Sequence, residues 1–305
     1  MGFAFIKHDT QIDFIGWRHW AYGISIVLLL AGLASALWGN GLKMGIDFAG
    51  GVIVQVQFDK PVNDEALKKS LDIPALPGIT TQRFGEGGRD YLLRFSSAEN
   101  ADASALRTNV VNALASAFPD NAAQILRLEV VGPKVGDDLT NKALSALYYA
   151  VLLIAVYISG RFEQRWMAGA IMAAALWGGM YVLSFTGLGM GWLVLFALAI
   201  TMVVCFFLKL NFALGAVVGL LHDVFITAGL LSIMDVEIDL NVMAALLTLV
   251  GYSLNDTIIV YDRLRENLRA APKVDLASLI NRSINQTLSR TILTSGTTFV
   301  ATLSL

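Results

Sequence analysis

Apolar segments of membrane-spanning length recur along the sequence and restrict its fold more than any other feature. Each is close to the roughly 20 residues that a helix needs to cross the hydrocarbon of a bilayer. The predicted spans are 20–38, 142–158, 167–185, 192–208, 212–234 and 240–261. A further apolar segment begins at about 291 and is too short by residue 305 to cross, so we expect the natural chain to continue. The first span is expected to be retained, because it is long for a cleaved signal peptide and more spans follow.

Composition supports this membrane class and excludes others. The sequence is 56% hydrophobic and 15% charged, whereas soluble domains are about 45–50% apolar and about 25% charged. The net charge of −2 and the lack of a basic stripe outside membrane-flanking loops argue against nucleic-acid binding. The single cysteine, Cys205, lies in an apolar run and forms no disulfide within the chain.

No cofactor, metal or enzymatic centre is expected. The sequence has no glycine-rich loop ending in Gly-Lys-Ser/Thr, which argues against ATP as an energy source. No second histidine or cysteine stands at metal-ligand spacing from His222. There is also no combination of a nucleophile with a base of the kind that hydrolases use.

Residues 39–138 have the composition of a soluble domain. The predicted strands are 52–58, 79–84, 91–95 and 123–131, with helices over 63–71 and 101–118. Gly85, Gly87 and Gly88 favour a hairpin between the second and third strands. The order βαββαβ predicts a ferredoxin-like α+β fold for this domain, set between the first two spans of an α-helical polytopic membrane protein.

The distribution of Arg and Lys predicts the orientation. The short loops 186–191 and 235–239 carry neither residue, whereas the loops on the other side carry Arg161, Arg165, Lys209, Arg263, Arg265, Arg269, Lys273, Arg282 and Arg290. The positive-inside rule places that second side in the cytoplasm. We therefore expect a cytoplasmic lead-in over 1–19, an exported domain, and a cytoplasmic helical linker over about 263–289.

Asn255 and Asp256 lie near the middle of the span 240–261. A carboxylate at that depth costs on the order of 3 kcal/mol, so it normally faces the interior of a helix bundle and has a task. One interpretation is proton handling, since burial and a nearby cation shift a carboxyl pKa in opposite directions. The other is a neutral carboxylic acid that hydrogen-bonds two helices together.

Two further polar positions have the same pair of interpretations. His222-Asp223 follows an apolar run, and the histidine could relay protons to Asp256 or simply hydrogen-bond between helices. Arg290, at the start of the last apolar segment, is the candidate cation for Asp256. It could equally be an interfacial anchor whose charge reaches the headgroups.

Five sequence blocks together resemble the SecF family, the smaller membrane subunit of the SecD–SecF protein-export complex in the proton-driven RND superfamily. They occur in order over nearly the whole chain: Gly-Ile-Asp-Phe-Ala-Gly-Gly at 45–51, Val-Gly-Pro-Lys-Val-Gly at 131–136, His222-Asp223, the block 255–267, and Arg-Thr-Ile-Leu-Thr-Ser-Gly at 290–296. Two features depart from the family. Two extra apolar segments, a hairpin at about 167–208, stand between Arg161-Phe162-Glu163 and His222, and the family continues beyond residue 305.

The resemblance implies a function and partners. A SecF-like subunit of the bacterial inner membrane would use the proton-motive force to assist late preprotein translocation, with SecD, the Sec channel, unfolded preproteins and membrane lipid as partners. It implies proton-pathway roles for the matching Asp256 and Arg290. The block 45–51 is expected to form a tight turn, with Gly50 and Gly51 serving backbone geometry and Asp47 a candidate for the SecD interface.

Two other functions remain to be distinguished from this one. A non-catalytic assembly subunit would stabilise SecD and the channel, with its polar residues acting only in helix packing. An RND exporter of small molecules is disfavoured, because the chain has a single exported domain of modest size. We expect the extra hairpin, which has no acidic residue, to pack outside the bundle, with Asp256, His222, Asp223 and Arg290 clustered away from it.

Overall fold

The computed structural model describes residues 10–39, 41–71, 76, 78–84, 87–95, 103–185 and 187–304. The start of the predicted lead-in, Gly85 of the predicted hairpin turn and the first two residues of the predicted helix 101–118 lie outside these ranges. The long helices are α1 (Arg18–Trp38), α5 (Pro133–Glu163), α6 (Trp166–Ser184), α7 (Met190–Phe207), α8 (Asn211–Ile233), α9 (Leu240–Ala270) and α10 (Leu276–Leu303). The remaining elements are α2 (Ile46–Ala49), β1 (Gly51–Phe58), α3 (Asp64–Leu71), β2 (Thr80–Phe84), β3 (Asp90–Phe95), α4 (Ala103–Ala117) and β4 (Ala123–Val131).

The chain forms two compact units. The sheet unit comprises Lys43–Ala143 and the short segment Glu237–Val242, and the helical unit comprises the rest. The sequence predicted a domain over 39–138. The structure therefore adds to it the first turns of α5 and a segment from the connection between α8 and α9.

Five described helices are long and apolar enough to cross a membrane: α1, α5, α7, α8 and α9. The apolar part of α6, Trp166–Val182, is shorter than these five helices. All of the spans predicted from the sequence thus coincide with helices. Helices α5, α6, α7, α8 and α9 contribute to one core cluster of buried residues, which includes Ile158, Met172, Ala197, Val217 and Val250.

The helical linker predicted over 263–289 consists of the ends of two helices. Helix α9 continues to Ala270, and α10 begins at Leu276 after Asp275, whose side chain accepts a hydrogen bond from the Ser278 backbone N–H at 3.2 Å. An acceptor at this position satisfies one of the free N–H groups of the first helical turn. The last apolar segment, predicted to begin at 291, therefore lies inside an unbroken helix.

The sheet unit has four antiparallel strands in the order β2-β3-β1-β4. Alternate residues of β1 point to the covered face, where Val52, Val54, Val56 and Phe58 are buried. Leu67, Leu71, Leu106, Val110 and Leu114 of the two helices belong to the same core cluster. Helices α3 and α4 therefore cover one face of the sheet, and the element order is βαββαβ.

Candidate functional site

His222 and Asp223 of α8 form the centre of a polar network within the helical unit. The Nδ1 atom of His222 lies 2.9 Å from Oδ1 of Asp223, and both side chains are half-buried. The Ser253 hydroxyl of α9 donates to the other carboxylate oxygen, Oδ2, at 2.6 Å. Both oxygens of Asp223 are thus engaged, one by its neighbour in sequence and one by a different helix.

Helix α1 completes this network. The hydroxyl of Ser25 lies 3.0 Å from Nε2 of His222, and Ser35 makes a hydroxyl–hydroxyl bond of 2.9 Å with Ser232. Each pair is separated by 197 residues, so α1 and α8 run parallel in constant register. We call this contact, which also brings Gly32 against Gly229, the α1–α8 seam.

Asp256 lies on α9 and faces α10. Its Oδ2 atom accepts a hydrogen bond from the Ser295 hydroxyl at 3.4 Å. Its Oδ1 atom is buried without a hydrogen-bond partner among the described residues. One turn earlier, the Tyr252 hydroxyl lies 2.7 Å from both the Thr294 carbonyl oxygen and the Thr298 hydroxyl. Helices α9 and α10 therefore meet through polar groups.

The other two proton-pathway candidates point elsewhere. Asn255 and Arg290 are both exposed. Among the described residues, Arg290 has no carboxylate within ion-pair distance, so the cation that the sequence assigned to Asp256 does not contact it in this structure. Ser295, five residues after Arg290 and therefore about 7.5 Å further along the helix, makes the contact instead.

Asp47, Gly50 and Gly51 belong to the sheet unit. The Asp47 carboxylate accepts a hydrogen bond from the Leu240 backbone N–H at 3.0 Å, which caps the first turn of α9. The adjacent Gly45 N–H donates to the Ile238 carbonyl oxygen at 2.8 Å. The sequence suggested Asp47 as a candidate for an interface with another subunit, and the structure gives it a partner within this chain.

Both glycines require their lack of a side chain. Gly50 has φ of 71° and Gly51 φ of 134°, a region that side chains with a Cβ atom disfavour. A Cβ atom on Gly50 would lie 3.0 Å from the Pro133 Cα atom, and one on Gly51 would lie 3.0 Å from the Phe95 carbonyl oxygen. This turn joins α2 to β1 and positions Asp47 for the cap.

Sequence reasoning missed three hydroxyl groups of the site: Ser25, Ser253 and Ser295. Serine is common in membrane helices, so these positions gave no signal alone. The spacing of Ser253 and Asp256, three residues apart on a helix, places them on one face and was the available clue. Among the described residues, no group of three or more His, Cys, Asp or Glu side chains could hold a metal ion.

Comparison with known families covers most of the chain. A family described as the carboxy-terminal part of the protein export membrane proteins SecD and SecF matches residues 110–190 and 186–305. The SecD/SecF GG motif matches residues 35–62, which include Asp47, Gly50 and Gly51. The two matches thus contain all the site residues except Ser25.

Individual relatives are similar over nearly the full length. The protein translocase subunit SecF of Vibrio alginolyticus is 34% identical over 99% of this chain and 81% of its own length. That of Magnetococcus marinus is 37% identical over 92% of this chain and 76% of its own length.

A solved structure is also similar to this chain. The crystal structure of SecDF from Thermus thermophilus, described as a translocon-associated membrane protein, has a TM-score of 0.65 and 27% identity. The similarity covers 96% of this chain and 33% of the SecDF chain, so this chain spans a third of that protein. With its apolar helices, this chain is therefore a multi-pass membrane protein that belongs to the SecF family.

Proposed function

We propose that the chain is an accessory subunit of the Sec protein-export machinery in the bacterial cytoplasmic membrane. Its relatives are named protein translocase subunits, and the similar SecDF structure is described as translocon-associated. The partners in this proposal are SecD, the Sec channel, unfolded preproteins and the surrounding lipid, with no nucleic acid. The subunit uses the proton-motive force to assist late translocation and catalyses no covalent reaction.

The proton-coupling part of this proposal rests on how the acidic side chains in the spans are partnered and buried. The buried Oδ1 atom of Asp256 has no partner among the described residues, and a half-buried His222–Asp223 pair stands on the neighbouring helix. Most buried polar side-chain atoms have a hydrogen-bond partner, so an unpartnered carboxylate oxygen in a span supports a role beyond packing. One proton that crosses 100 mV supplies about 2.3 kcal/mol, enough to bias a conformational equilibrium.

The proposal includes an orientation and a fold for the sheet unit. The N-terminus is cytoplasmic and the sheet unit is exported, as the absence of Lys and Arg from 186–191 and 235–239 favours. The element order βαββαβ and the strand order β2-β3-β1-β4 support a ferredoxin-like domain. This domain acts on chains as they emerge from the channel.

The test replaces Asp256 with asparagine, which keeps the size of the side chain and removes its titration. In vesicles with the Sec channel and SecD, we expect Asp256→Asn to insert normally and to lose the stimulation of export by an imposed proton gradient. Thr248→Ala, which changes an exposed residue of the same helix, is the control. Stimulation at the wild-type level in Asp256→Asn would refute proton coupling.

The second candidate function, a non-catalytic assembly subunit, is favoured by the Tyr252 bonds to α10. The Tyr252 hydroxyl holds α9 against α10 without any titratable partner. If the polar residues act only in assembly, Tyr252→Phe should reduce the amount of SecD recovered with the chain. Asp256→Asn should then leave gradient-stimulated export unchanged.

A further inference from the structure

Both ring nitrogens of His222 have a defined partner. When Asp223 is ionised its carboxylate only accepts hydrogen bonds, so Nδ1 of His222 then carries a proton and donates to it. In the neutral ring Nε2 is then an acceptor, and the Ser25 hydroxyl, whose oxygen lies 3.0 Å away, donates a hydrogen bond to it. In the charged ring Nε2–H donates to the same hydroxyl oxygen.

Ser25 therefore suits both protonation states of His222. A serine hydroxyl both donates and accepts and turns freely about its C–O bond. The contact between α1 and α8 survives when the ring gains or loses a proton. The bond from the charged ring to Ser25 is the stronger of the two, because hydrogen bonds that involve a charged group are worth more than neutral ones.

Ser253 has a different task. Its hydroxyl donates to Oδ2 of Asp223, which fixes the carboxylate that in turn orients the ring. Ser253 and Asp256 are three residues apart on α9, about 4.5 Å along the axis and on one face. The bond from Ser253 thus joins the His222–Asp223 pair to the helix that carries Asp256.

We propose that Ser25 and Ser253 are positioning residues for proton handling: Ser25 accommodates both protonation states of His222, and Ser253 orients Asp223 towards α9. Asp223 is the ionisable group that contacts His222, while the carboxylate of Asp256 on α9 contacts Ser295 and Tyr22, one turn before Ser25 on α1, is exposed. The inference rests on the proposed function for its effect on export, and on geometry alone for its effect on His222.

The first experiment follows the titration of His222 by NMR in the full chain with labelled histidine. The sequence has three histidines, so His222→Gln assigns the signal. Because Ser25 bonds the charged ring more strongly than the neutral one, Ser25→Ala should move the titration midpoint by about 0.5–1 pH unit. Ser25→Thr, which keeps the hydroxyl, should restore it.

Ser35→Ala is the matched control. It removes a bond of the same α1–α8 seam, between Ser35 and Ser232, where neither residue titrates. Its expected effect is a loss of thermal stability with an unchanged His222 midpoint. If the His222 midpoint is the same in Ser25→Ala as in Ser35→Ala, then Ser25 only packs α1 against α8 and the proposal fails.

The second experiment measures gradient-stimulated export in Ser253→Ala and Ser253→Thr. The alanine variant should be about fivefold slower, the factor of one lost hydrogen bond, and the threonine variant should be close to wild type. Equal rates in Ser253→Ala and wild type would overturn the role of Ser253. If Asp256→Asn exports normally, the proposed function fails, and the His222 titration still decides the role of Ser25.

Discussion

The α1–α8 seam and the α6–α7 hairpin hold their helices together through different side chains. The seam is joined by side-chain hydrogen bonds between helices, as in the Ser25–His222 and Ser35–Ser232 pairs. In the hairpin, the buried Thr201 hydroxyl donates to the carbonyl oxygen of Ala197 on its own helix. The buried Cys205 thiol of α7 donates a weak hydrogen bond to the Met172 sulfur of α6 at 3.7 Å.

Side-chain hydrogen bonds to the backbone hold the two ends of the hairpin together. The Glu163 carboxylate at the end of α5 accepts a hydrogen bond from the Phe212 N–H at the start of α8, at 2.9 Å. Arg165 donates to the Leu208 carbonyl oxygen at 2.6 Å. The chain thus leaves α5 and returns beside the same point, so the end of α5 lies next to the start of α8.

The largest effect should come from a cavity in the hairpin. Leu176 is completely buried in the core cluster that α6 shares with α5, α7 and α8. Leu176→Ala should cost about 2–5 kcal/mol of stability and leave the His222 titration midpoint unchanged. Thermal unfolding in detergent, with the half-exposed Leu195→Ala as control, measures the first part. A shifted midpoint would show that the hairpin and the seam are not independent.

The next largest effect should come from the seam itself. A Cβ atom on Gly32 would lie 2.6 Å from the Gly229 Cα atom, so Gly32→Ala must push α1 away from α8. We expect a loss of about 1–3 kcal/mol together with a changed His222 titration. Gly23→Ala on the same helix meets no atom within 4 Å and should be neutral. Equal behaviour of the two variants would contradict close packing at Gly32.

The smallest loss of stability is expected from removing a tyrosine hydroxyl in the sheet unit, outside the spans. The Tyr91 hydroxyl donates hydrogen bonds to the Val62 carbonyl oxygen at 2.6 Å and to the Asp64 carboxylate at 2.7 Å. Tyr91→Phe should cost about 1 kcal/mol. Burial, and then the bond to Asp64, raises the pKa of Tyr91 from 10.0 to about 12.

The raised pKa predicts a pH dependence for the wild-type sheet unit. The unfolded chain loses the Tyr91 proton first, so this stabilisation is complete below pH 10 and is lost as the pH rises through about 12. Thermal unfolding from pH 9 to 12 should show a steeper loss for wild type than for Tyr91→Phe. Parallel curves of stability against pH for the two proteins would mean that Tyr91 has the same pKa in the folded and unfolded chains.

Much of the fold could be predicted from local pattern. Apolar runs of membrane length located the spans, and alternation located the strands, because both depend on nearby residues. The boundary of the sheet unit depended on contacts that pattern does not encode. Segment Glu237–Val242 joins it through the bond from Leu240 to Asp47, across almost 200 residues of sequence.

The ionisable residues of the site could be predicted from the sequence, but the residues that contact them could not. Asp256, His222 and Asp223 are conspicuous because ionisable groups are costly in apolar runs. Ser25 and Ser295 are inconspicuous, and only the packing of α1 on α8 and of α10 on α9 gives them a role. Arg290 shows the converse, since the distance from Asp256 depends on helix rotation that sequence spacing leaves open.

The proposed proton coupling requires that Asp256 gain and lose a proton within the spans. Infrared difference spectroscopy of the full chain in lipid, between acidic and alkaline pH, detects the C=O stretch of a protonated carboxyl group directly. We expect a band that is present in wild type, absent in Asp256→Asn and retained in Asp262→Asn, which removes a half-exposed carboxylate paired with Arg161. An identical difference spectrum in wild type and Asp256→Asn would contradict it.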